Sequence, residues 1–417
     1  MVPNASHRLG FPHPSPLPAG EEAFTWRLCL LAMDAWVGVL EGAGGASRRH
    51  VASSPREHRK EGSAMSLHIV HTQTPKPHTP EHQLGFGQVF TDHMLLMDYS
   101  PDAGWHEARI VPYGPFSLEP STIVFHYGQA IFDGLKAFRS PAEAILLFRP
   151  QQHLRRLNTS AARLCIPAID ETFTLEALKE LVRLDADWVP RTPGCSLYIR
   201  PTIIATDPAL GVHPSRTYRF FAILSPVGTY YPEGFEPVKI LVEDRYVRAV
   251  SGGLGAAKTP ANYAASLLAA EEAHAKGFTQ VLWLDGLAHR YIEEVGSMNI
   301  FFVIDDALVT PPLEGSILDG VTRDSVIALA RTWGLPVAER RIGIDDILAA
   351  HGAGKLTEVF GTGTAAVISP VSELFYKGHT IVINDRKVGP WTQRIYDALT
   401  AIQWGTAPDP FGWMVPV

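Results

Sequence analysis

The chain has 417 residues, which is enough for two or three domains. Its 46% hydrophobic and 19% charged residues are ordinary for a globular protein with a sizeable core. The net charge of −7, with no basic stripe interleaved with aromatic residues, argues against a protein that binds nucleic acid. Cys29, Cys165 and Cys195 lie far apart, which excludes a cysteine zinc site and a disulfide framework and suits a reducing compartment. The histidines show no HExxH or comparable spacing, so we predict no metal.

The first 64 residues differ in composition from the rest, being rich in Pro, Ser, Gly, Arg and His. The apolar stretch at 24–40 carries Arg27 and Asp34, and it is too short and too charged to span a bilayer. It also lacks the basic start and clean apolar core of a signal peptide. An organellar transit sequence is the alternative, although its acidic residues disfavour it. We therefore expect residues 1–64 to be an extension without a folded role, on a cytoplasmic enzyme that starts near Met65.

The first part of the remaining chain is dominated by strand patterns, bounded by Pro, Gly and Asp. Strands are predicted at 88–99, 108–114, 121–128, 144–150, 196–205 and 218–227. Apolar residues recurring at three and four positions predict helices at 151–164 and 174–189.

A Gly-, Pro- and Tyr-rich segment at 228–237 indicates a connection between domains. We place the first domain at 65–230, the linker at 231–246 and the second domain at 247–417. The second half has strand patterns near 238–243, 280–285, 299–304 and 357–361, and helical patterns near 262–276, 321–333 and 390–403. Mixed sheets with helices beside them predict two α+β domains.

Lys258 stands in a loop of small residues, GGLGAAKTPANYAAS at 252–266. An apolar strand at 281–284 then leads to two acidic residues, Glu293 and Glu294. A lysine that can bond covalently to an aldehyde, together with a buried acid, is what pyridoxal chemistry requires. A lone lysine after a flexible turn is otherwise most often solvated. A nicotinamide enzyme is weakly supported, because the Gly253-Leu-Gly255 pair lacks the third glycine of a dinucleotide fingerprint.

From about residue 84 onward the chain resembles the branched-chain amino acid aminotransferases, which are class IV, fold type IV pyridoxal-phosphate enzymes. The resemblance lies in eight blocks that follow the family's order: FGQVFTDHML (86–95), HYGQAIFDGLKAF (126–138), LFRPQQHLRRLNTSAARL (147–164), SLYIRP (196–201), GGLGAAKTPANY (252–263), EEVGSMNIFF (293–302), ILDGVTRDSV (317–326) and EVFGTGTAAVISPV (358–371). The resemblance implies a smaller N-terminal α/β domain and a larger C-terminal pseudobarrel domain. It also implies pyridoxal 5'-phosphate as cofactor, ping-pong amino transfer between Leu, Ile or Val and 2-oxoglutarate, and a homodimer or higher oligomer.

The resemblance assigns the residues around the cofactor ring. Lys258 matches the lysine that binds the cofactor covalently, and Tyr263 matches the phenol that bonds its 3′ oxygen. Glu294 matches the acid that pairs with the pyridine nitrogen. The adjacent Glu293 competes for this role, but the EVG register favours Glu294.

The resemblance also assigns the residues around the cofactor phosphate. Arg156 matches the arginine that binds it, with Arg155 and Arg163 as the nearby alternatives. The segment 319–322 opens a helix, whose free N–H groups form an anion site. There the resemblance places the backbone of Val321 and the hydroxyl of Thr322. The turn at 361–366 places Thr364 at the phosphate and the substrate carboxylate, and the Ala365 amide at that carboxylate. Ala366 and Ser369 stand where some animal members carry a CxxC redox pair, so thiol regulation is not expected there.

The side-chain pocket implied by the resemblance is apolar and tolerates glutamate. Its members are Phe90, Tyr127, Phe132, Tyr198 and Val212, the last borrowed from the partner subunit. Arg200 matches the arginine that reaches the distal carboxylate of glutamate. Alternate aromatic residues in strands are more often core, so these assignments depend on the resemblance. Fold-sharing alternatives are a D-amino acid aminotransferase and an aminodeoxychorismate lyase, and an alternative from another class is a binding protein without turnover.

Overall fold

The computed structural model describes residues 65–228 and 235–417. The predictions for residues 1–64, and for the part of the linker at 229–234, lie outside the described residues. Within the described part the strands form two mixed sheets of nine strands each. The two-sheet arrangement with flanking helices confirms the predicted two-domain α+β class. The predicted boundaries at 230 and 247 stay a prediction.

The first sheet is built mainly from antiparallel neighbours in the N-terminal half, with the order β1-β3-β2-β8-β7-β5-β6. Eight of its nine strands are β1 His68–Ile69, β2 His93–Ser100, β3 Gly104–Pro112, β4 Ala130–Phe132, β5 Leu135–Arg139, β6 Ile145–Phe148, β7 Ser196–Ala205 and β8 Tyr218–Val227. β7 and β8 coincide with the predicted ranges and pair along their whole length. The short strand β4 also pairs with β7.

Three helices accompany this sheet: α1 Ile123–Tyr127, α2 Pro150–Arg163 and α3 Glu171–Leu184. The buried side of α2 and α3, with Leu154, Leu157, Leu178 and Leu181, packs in one cluster with the sheet. Asp170 caps α3 by accepting a hydrogen bond from the Phe173 N–H.

The predicted strand at 121–128 is wrong, because residues 123–127 form the short helix α1. The β-branched and aromatic residues of STIVFHYG suggested a strand. The local geometry overrides that propensity: Gly128, at φ 60°, ends the helix in the left-handed conformation, which glycine adopts without a Cβ penalty. The run is too short for a helical repeat to show in the sequence.

The second sheet closes on itself. Its strands are β9 Val238–Glu243, β10 Gln280–Leu284, β11 Ile292–Val295, β12 Met298–Ile304, β13 Ala307–Thr310, β14 Val337–Glu339, β15 Leu356–Gly363, β16 Val367–Tyr376 and β17 His379–Val382. The order β11-β10-β9-β16-β15-β12 returns to its start, because β11 also pairs with β12. These six strands therefore make a closed barrel, with buried Ile240, Leu282, Ile300 and Val359 in one cluster.

Four helices belong to this half: α4 Pro260–Ala275, α5 Val321–Thr332, α6 Ile344–Gly352 and α7 Pro390–Gln403. The chain ends with β18, Met414–Pro416, which returns to the first sheet beside β6. β9 lies inside the predicted linker 231–246 yet pairs with β10 and β16 of the barrel. A third cluster joins the sheets, with Phe138 and Phe148 of the first beside Phe301 and Phe360 of the second. Of the described helices, none has the length and apolar character needed to cross a membrane.

Candidate active site

A cavity of about 540 Å³ lies where elements of both sheets meet. Its volume falls in the range of small-molecule sites. Most of its walls come from the strand ends and helix starts that surround the loop before α4: Phe132, Gly134, Arg156, Tyr198, Arg200, Lys258, Tyr263, Val321, Thr322, Thr364 and Ala365 all line it. The structure thus brings together most of the residues that were predicted from distant parts of the sequence.

Lys258 is fixed through its backbone by the first sheet and its helix. Its N–H donates to Ser160 Oγ at 2.9 Å, and its carbonyl accepts from the Phe132 N–H at 3.0 Å. The neighbouring Thr259 hydroxyl, which is fully buried, donates to the Ala130 carbonyl at 2.8 Å. The loop is therefore rigid at the lysine itself, although its composition is that of a flexible turn.

The Lys258 side chain lines the cavity beside a phenol. Lys258 Nζ lies 2.9 Å from Tyr263 Oη, and Tyr263 is on the first turn of α4. The Phe132 ring centroid is 5.1 Å from Nζ and 5.0 Å from the Tyr263 ring centroid. The amine thus stands among aromatic faces, with one polar partner.

Glu294 is a buried carboxylate close to this lysine. It is on β11, and both it and Lys258 line a small chamber that also contains Tyr263 and Arg248. Glu294 Oε1 accepts from the Leu318 N–H at 2.8 Å. Burial raises the pKa of Glu294, and the Arg248 cation opposes that rise.

Glu293, the predicted competitor of Glu294, faces a different cavity. Alternation along β11 sends the two side chains to opposite sides, and Glu293 Oε1 accepts from Ser316 Oγ at 2.5 Å. Its cavity contains Asp285 and Arg341 and does not include Lys258. The geometry therefore favours Glu294 as the acid beside the lysine.

One end of the cavity is rich in hydrogen-bond donors. As expected, a helix opens at 319–322: α5 begins at Val321 and has no side-chain cap at its N-terminus. Its first N–H groups, together with the Thr322 side chain, face the cavity that Thr364 also lines. The tight turn predicted at 361–366 is present but shorter: β15 runs to Gly363, and residues 364–366 form the turn that connects it to β16.

Of the three arginines considered for this end, only Arg156 lines the cavity. Arg155 is exposed on the outer side of α2 and contacts Gln152 at 3.4 Å. Arg163, also exposed, donates to the Gly252 carbonyl at 3.1 Å.

The opposite wall is aromatic and carries a second cation. Arg200 Nη2 donates to Tyr198 Oη at 3.1 Å, and its guanidinium carbon lies 4.7 Å from the Phe132 ring centroid. Gly134 leaves room for this wall, because a Cβ there would lie 1.8 Å from Tyr198 Oη. Any other residue at 134 would therefore displace Tyr198.

Three predicted pocket residues do not line the cavity of this chain. Phe90 stacks on Tyr113 with 5.3 Å between ring centroids. Tyr127 is 44% exposed and its hydroxyl donates to the Leu210 carbonyl, and Val212 is 84% exposed. The roles of all three residues stay predictions. Val212 was expected to line the site of the partner subunit, so its absence from this cavity does not contradict its role.

Sequence reasoning missed Phe86, which lines the cavity four positions before Phe90. The Phe86 ring packs edge-on against Tyr198 with 5.0 Å between centroids. Both phenylalanines belong to the block FGQVF. The block therefore indicated the right segment, but Phe90 was chosen from it in place of Phe86.

Known proteins resemble this chain in sequence and in structure. Residues 130–374 match the family model for class IV aminotransferases. Branched-chain-amino-acid aminotransferase 2 of Bacillus subtilis (strain 168) is 56% identical over 353 residues, which cover 85% of this chain and 97% of that protein. The solved branched-chain amino acid aminotransferase of Escherichia coli has a TM-score of 0.63 and 29% identity, covering 78% of this chain and 98% of that one.

A second solved structure is informative about ligands. The branched-chain amino acid aminotransferase of T.th., complexed with N-(5'-phosphopyridoxyl)-L-glutamate, has a TM-score of 0.63 and 28% identity. The match covers 77% of this chain and 97% of that one. Family model, sequence and fold agree, and the chain belongs to the branched-chain aminotransferases of the class IV aminotransferase family.

Proposed function

We propose that this chain is a pyridoxal 5'-phosphate-dependent transaminase. It transfers the amino group between the branched-chain L-amino acids Leu, Ile and Val and 2-oxoglutarate. The observation that carries the proposal is the position of Lys258 Nζ, 2.9 Å from Tyr263 Oη in a cavity that also receives Arg156 and the start of α5.

The described residues fit the cofactor at its four chemically distinct parts. Lys258 supplies the amine for the aldehyde, and Tyr263 supplies a donor for the ring oxygen beside it. Glu294 supplies a buried carboxylate for the ring nitrogen. Arg156, Thr322 and the N–H groups at the start of α5 supply cationic and neutral donors for the phosphate. When bound, the cofactor supplies an electron sink for the pair of electrons left when the substrate Cα–H bond breaks.

The chain's own groups hold and move the protons. Lys258 Nζ, when neutral, is the base that takes the proton from the substrate Cα, and Tyr263 Oη keeps that nitrogen oriented. The Glu294 carboxylate would favour a proton on the ring nitrogen of the bound cofactor. Because Glu294 is only 3% exposed, water does not weaken that interaction.

The walls of the cavity suit both kinds of substrate. Phe86, Phe132 and Tyr198 offer apolar surface to a branched aliphatic side chain. Arg200, in the same wall, offers a cation to the distal carboxylate of glutamate or 2-oxoglutarate. Thr364 and Ala365 belong to the turn that we assign to the α-carboxylate shared by all these substrates.

We further propose that the enzyme is a homodimer or a higher homo-oligomer. Exposed apolar side chains lie on α1 and in the loop after β7, with Phe125 at 61%, Leu210 at 65% and Val212 at 84%. The Tyr127 hydroxyl, which donates to the Leu210 carbonyl, joins the two segments. Such exposed apolar side chains mark surfaces that become covered in assemblies. Sedimentation velocity of the purified protein tests this, and a monomer at micromolar concentration contradicts it.

The cytoplasm is the location we propose, because the described cysteines, Cys165 and Cys195, are free thiols, which suits a reducing compartment. Fractionation of the native cells checks it, and the N-terminal sequence of the native protein shows how much of residues 1–64 is retained.

A panel of amino donors with 2-oxoglutarate tests the activity. We expect turnover with L-leucine, L-isoleucine and L-valine, and parallel lines in double-reciprocal plots, because the first keto acid leaves before the second binds. D-alanine and aminodeoxychorismate test the fold-sharing alternatives. Preference for either compound over the branched-chain amino acids contradicts the proposal.

A further inference from the structure

Arg156 is held by a buried carboxylate that is outside the catalytic set described above. Arg156 Nε donates to Asp133 Oδ2 at 2.9 Å, and Nη2 donates to Oδ1 at 2.7 Å. Asp133 is fully buried between β4 and β5. It therefore grips one edge of the guanidinium through two parallel bonds, the geometry that fixes an arginine most firmly.

His153 completes the shell around this carboxylate. It precedes Arg156 by three residues on α2, is 1% exposed, and its Nδ1 lies 2.7 Å from Asp133 Oδ1. Since a carboxylate only accepts, Nδ1 carries the hydrogen. The Gly134 N–H donates to the same oxygen at 2.7 Å. Four donors thus reach one carboxylate, three at Oδ1 and one at Oδ2.

The protonation states follow from this geometry. Burial alone would raise the pKa of Asp133, but the Arg156 cation and His153 hold it well below its ordinary value. Burial lowers the pKa of His153, so its ring is neutral at pH 7. The three side chains therefore form a unit with no net charge.

Arg156 retains donors for the cavity. Of its five N–H groups, Nε and one on Nη2 go to Asp133, and one on Nη1 goes to the Asp319 carbonyl at 3.0 Å. The second N–H of each of Nη1 and Nη2 is left for the cavity, because the 3.4 Å contact of Nη2 with His153 Nδ1 is not a hydrogen bond when Nδ1 carries its own hydrogen. Two adjacent donors of this kind match two oxygens of a phosphate.

We propose that Asp133 and His153 are positioning residues that fix Arg156 for the cofactor phosphate. The inference rests on the proposed function, which supplies the phosphate. Asp133 neutralises the charge of Arg156. The same two bonds fix the orientation of the guanidinium and so the direction of its two remaining N–H groups. The affinity for phosphate then depends more on the orientation of these donors than on net positive charge.

This assignment and simple electrostatics predict opposite changes in phosphate affinity when the charge of Asp133 is removed. If Asp133 only screened the arginine, removing its charge would strengthen phosphate binding. If it positions the arginine, removing the charge leaves Arg156 free to rotate and weakens binding. Asp133→Asn decides between the two, since it changes the charge at nearly constant volume.

The experiment titrates the cofactor-free enzyme with pyridoxal 5'-phosphate and, separately, with pyridoxal, following the change in absorbance or protein fluorescence. For Asp133→Asn we expect the Kd of the phosphorylated compound to rise about 10- to 100-fold, the effect of losing a charged hydrogen-bond partner. The Kd of pyridoxal changes about threefold at most. Unchanged or tighter binding of the phosphate, or an equal loss for both compounds, overturns the inference.

A milder pair of variants decides the matter if Asp133→Asn does not fold. His153→Asn keeps an N–H donor close to the place of Nδ1, whereas His153→Leu removes it. We expect the leucine variant to weaken binding of the phosphorylated compound about 3- to 10-fold, and the asparagine variant to restore it. Equal affinities of the two variants overturn the role of His153. In an Arg156→Gln background neither change has a further effect if both act through Arg156.

The failures of the two proposals are separate. A wild-type enzyme that does not bind pyridoxal 5'-phosphate overturns the proposed function. A wild-type enzyme that binds it, with Asp133 and His153 variants that bind it equally well, overturns only the positioning role.

Discussion

Arg248 Nε lies 3.2 Å from Glu294 Oε2, and the two side chains are 7% and 3% exposed. The Arg248 guanidinium is oriented by other partners, since its Nη2 donates to the Ser316 carbonyl at 2.6 Å. Its Nε makes no hydrogen bond, so the contact with Glu294 is an ion pair. The buried Arg248 cation opposes the rise in the pKa of Glu294 that burial causes.

The acidic limb of the pH profile of kcat/KM should respond to this pair. Arg248→Met removes the cation, so the already raised pKa of Glu294 rises further, and the carboxylate is lost at higher pH than in the wild type. The limb therefore moves upward in pH, whereas Arg248→Lys, which keeps the charge, moves it less. A profile that does not move in the methionine variant contradicts the role of Arg248.

Glu294 and its neighbour provide a matched pair of variants. Glu294→Gln removes the charge beside the lysine chamber, and we expect kcat/KM to fall about 10- to 100-fold, from the loss of a charge-assisted bond. Glu293→Gln should change kcat/KM by about threefold at most, because Glu293 lies in the separate cavity with Ser316. Steady-state rates with L-leucine measure both. A larger loss in the Glu293 variant would reverse the assignment.

Lys258→Ala should abolish turnover while cofactor binding persists through Arg156 and the start of α5. Lys276→Ala is the control, because Lys276 is an exposed residue that caps the end of α4. Borohydride treatment followed by peptide mapping should label Lys258 in the wild type and in the control. Label on another residue, or full activity of the Lys258 variant, refutes the assignment.

Arg200 should separate the two classes of substrate. Arg200→Met removes the cation from the aromatic wall, so the Michaelis constant for the acceptor 2-oxoglutarate should rise about 10-fold or more. The rate constant for the half-reaction with L-leucine, measured in single-turnover experiments, should change much less. Equal losses for both substrates indicate a structural role.

Lys136 gives a prediction about stability. It is 6% exposed, its Nζ donates to the Ala365 carbonyl at 2.8 Å, and burial lowers its pKa from 10.5 to about 8. The unfolded chain therefore binds this proton more tightly than the folded chain does. The free energy of unfolding should rise between pH 8 and 10.5 relative to that of Lys136→Met, by at most about 3 kcal/mol. Chemical denaturation of both proteins across this range measures the difference, and a constant difference contradicts the lowered pKa.

The sequence predicted the elements whose residues repeat their pattern over enough length. Strands β7 and β8 and helix α7 have the predicted bounds, because ten to fourteen residues of alternation or helical spacing leave little choice. The five residues of α1 do not contain such a repeat, and their β-branched side chains predicted the wrong structure. β16, which is buried along almost its whole length, was missed because a strand buried on both faces shows no alternation.

The residues alone predicted only part of the candidate site. Lys258 was singled out by its loop of small residues and the acidic pair that follows, whereas the roles of Tyr263 and Glu294 came from the resemblance, and the structure brings all three together. Phe86 and Phe90 have the same side chain and occur in one block, so only the backbone path decides which of them enters the cavity. Asp133 was hidden for another reason, because its partners His153 and Arg156 come from a helix about twenty residues away.

The backbone bonds that tie Lys258 to Ser160 and Phe132 have a consequence for assembly of the enzyme. The lysine precedes α4 of the barrel half, yet its amide groups are satisfied by the N-terminal half. The backbone of this lysine is therefore held by contacts that exist only when the two halves are docked. The visible absorbance of the bound vitamin B6 cofactor would then indicate that the two halves have docked.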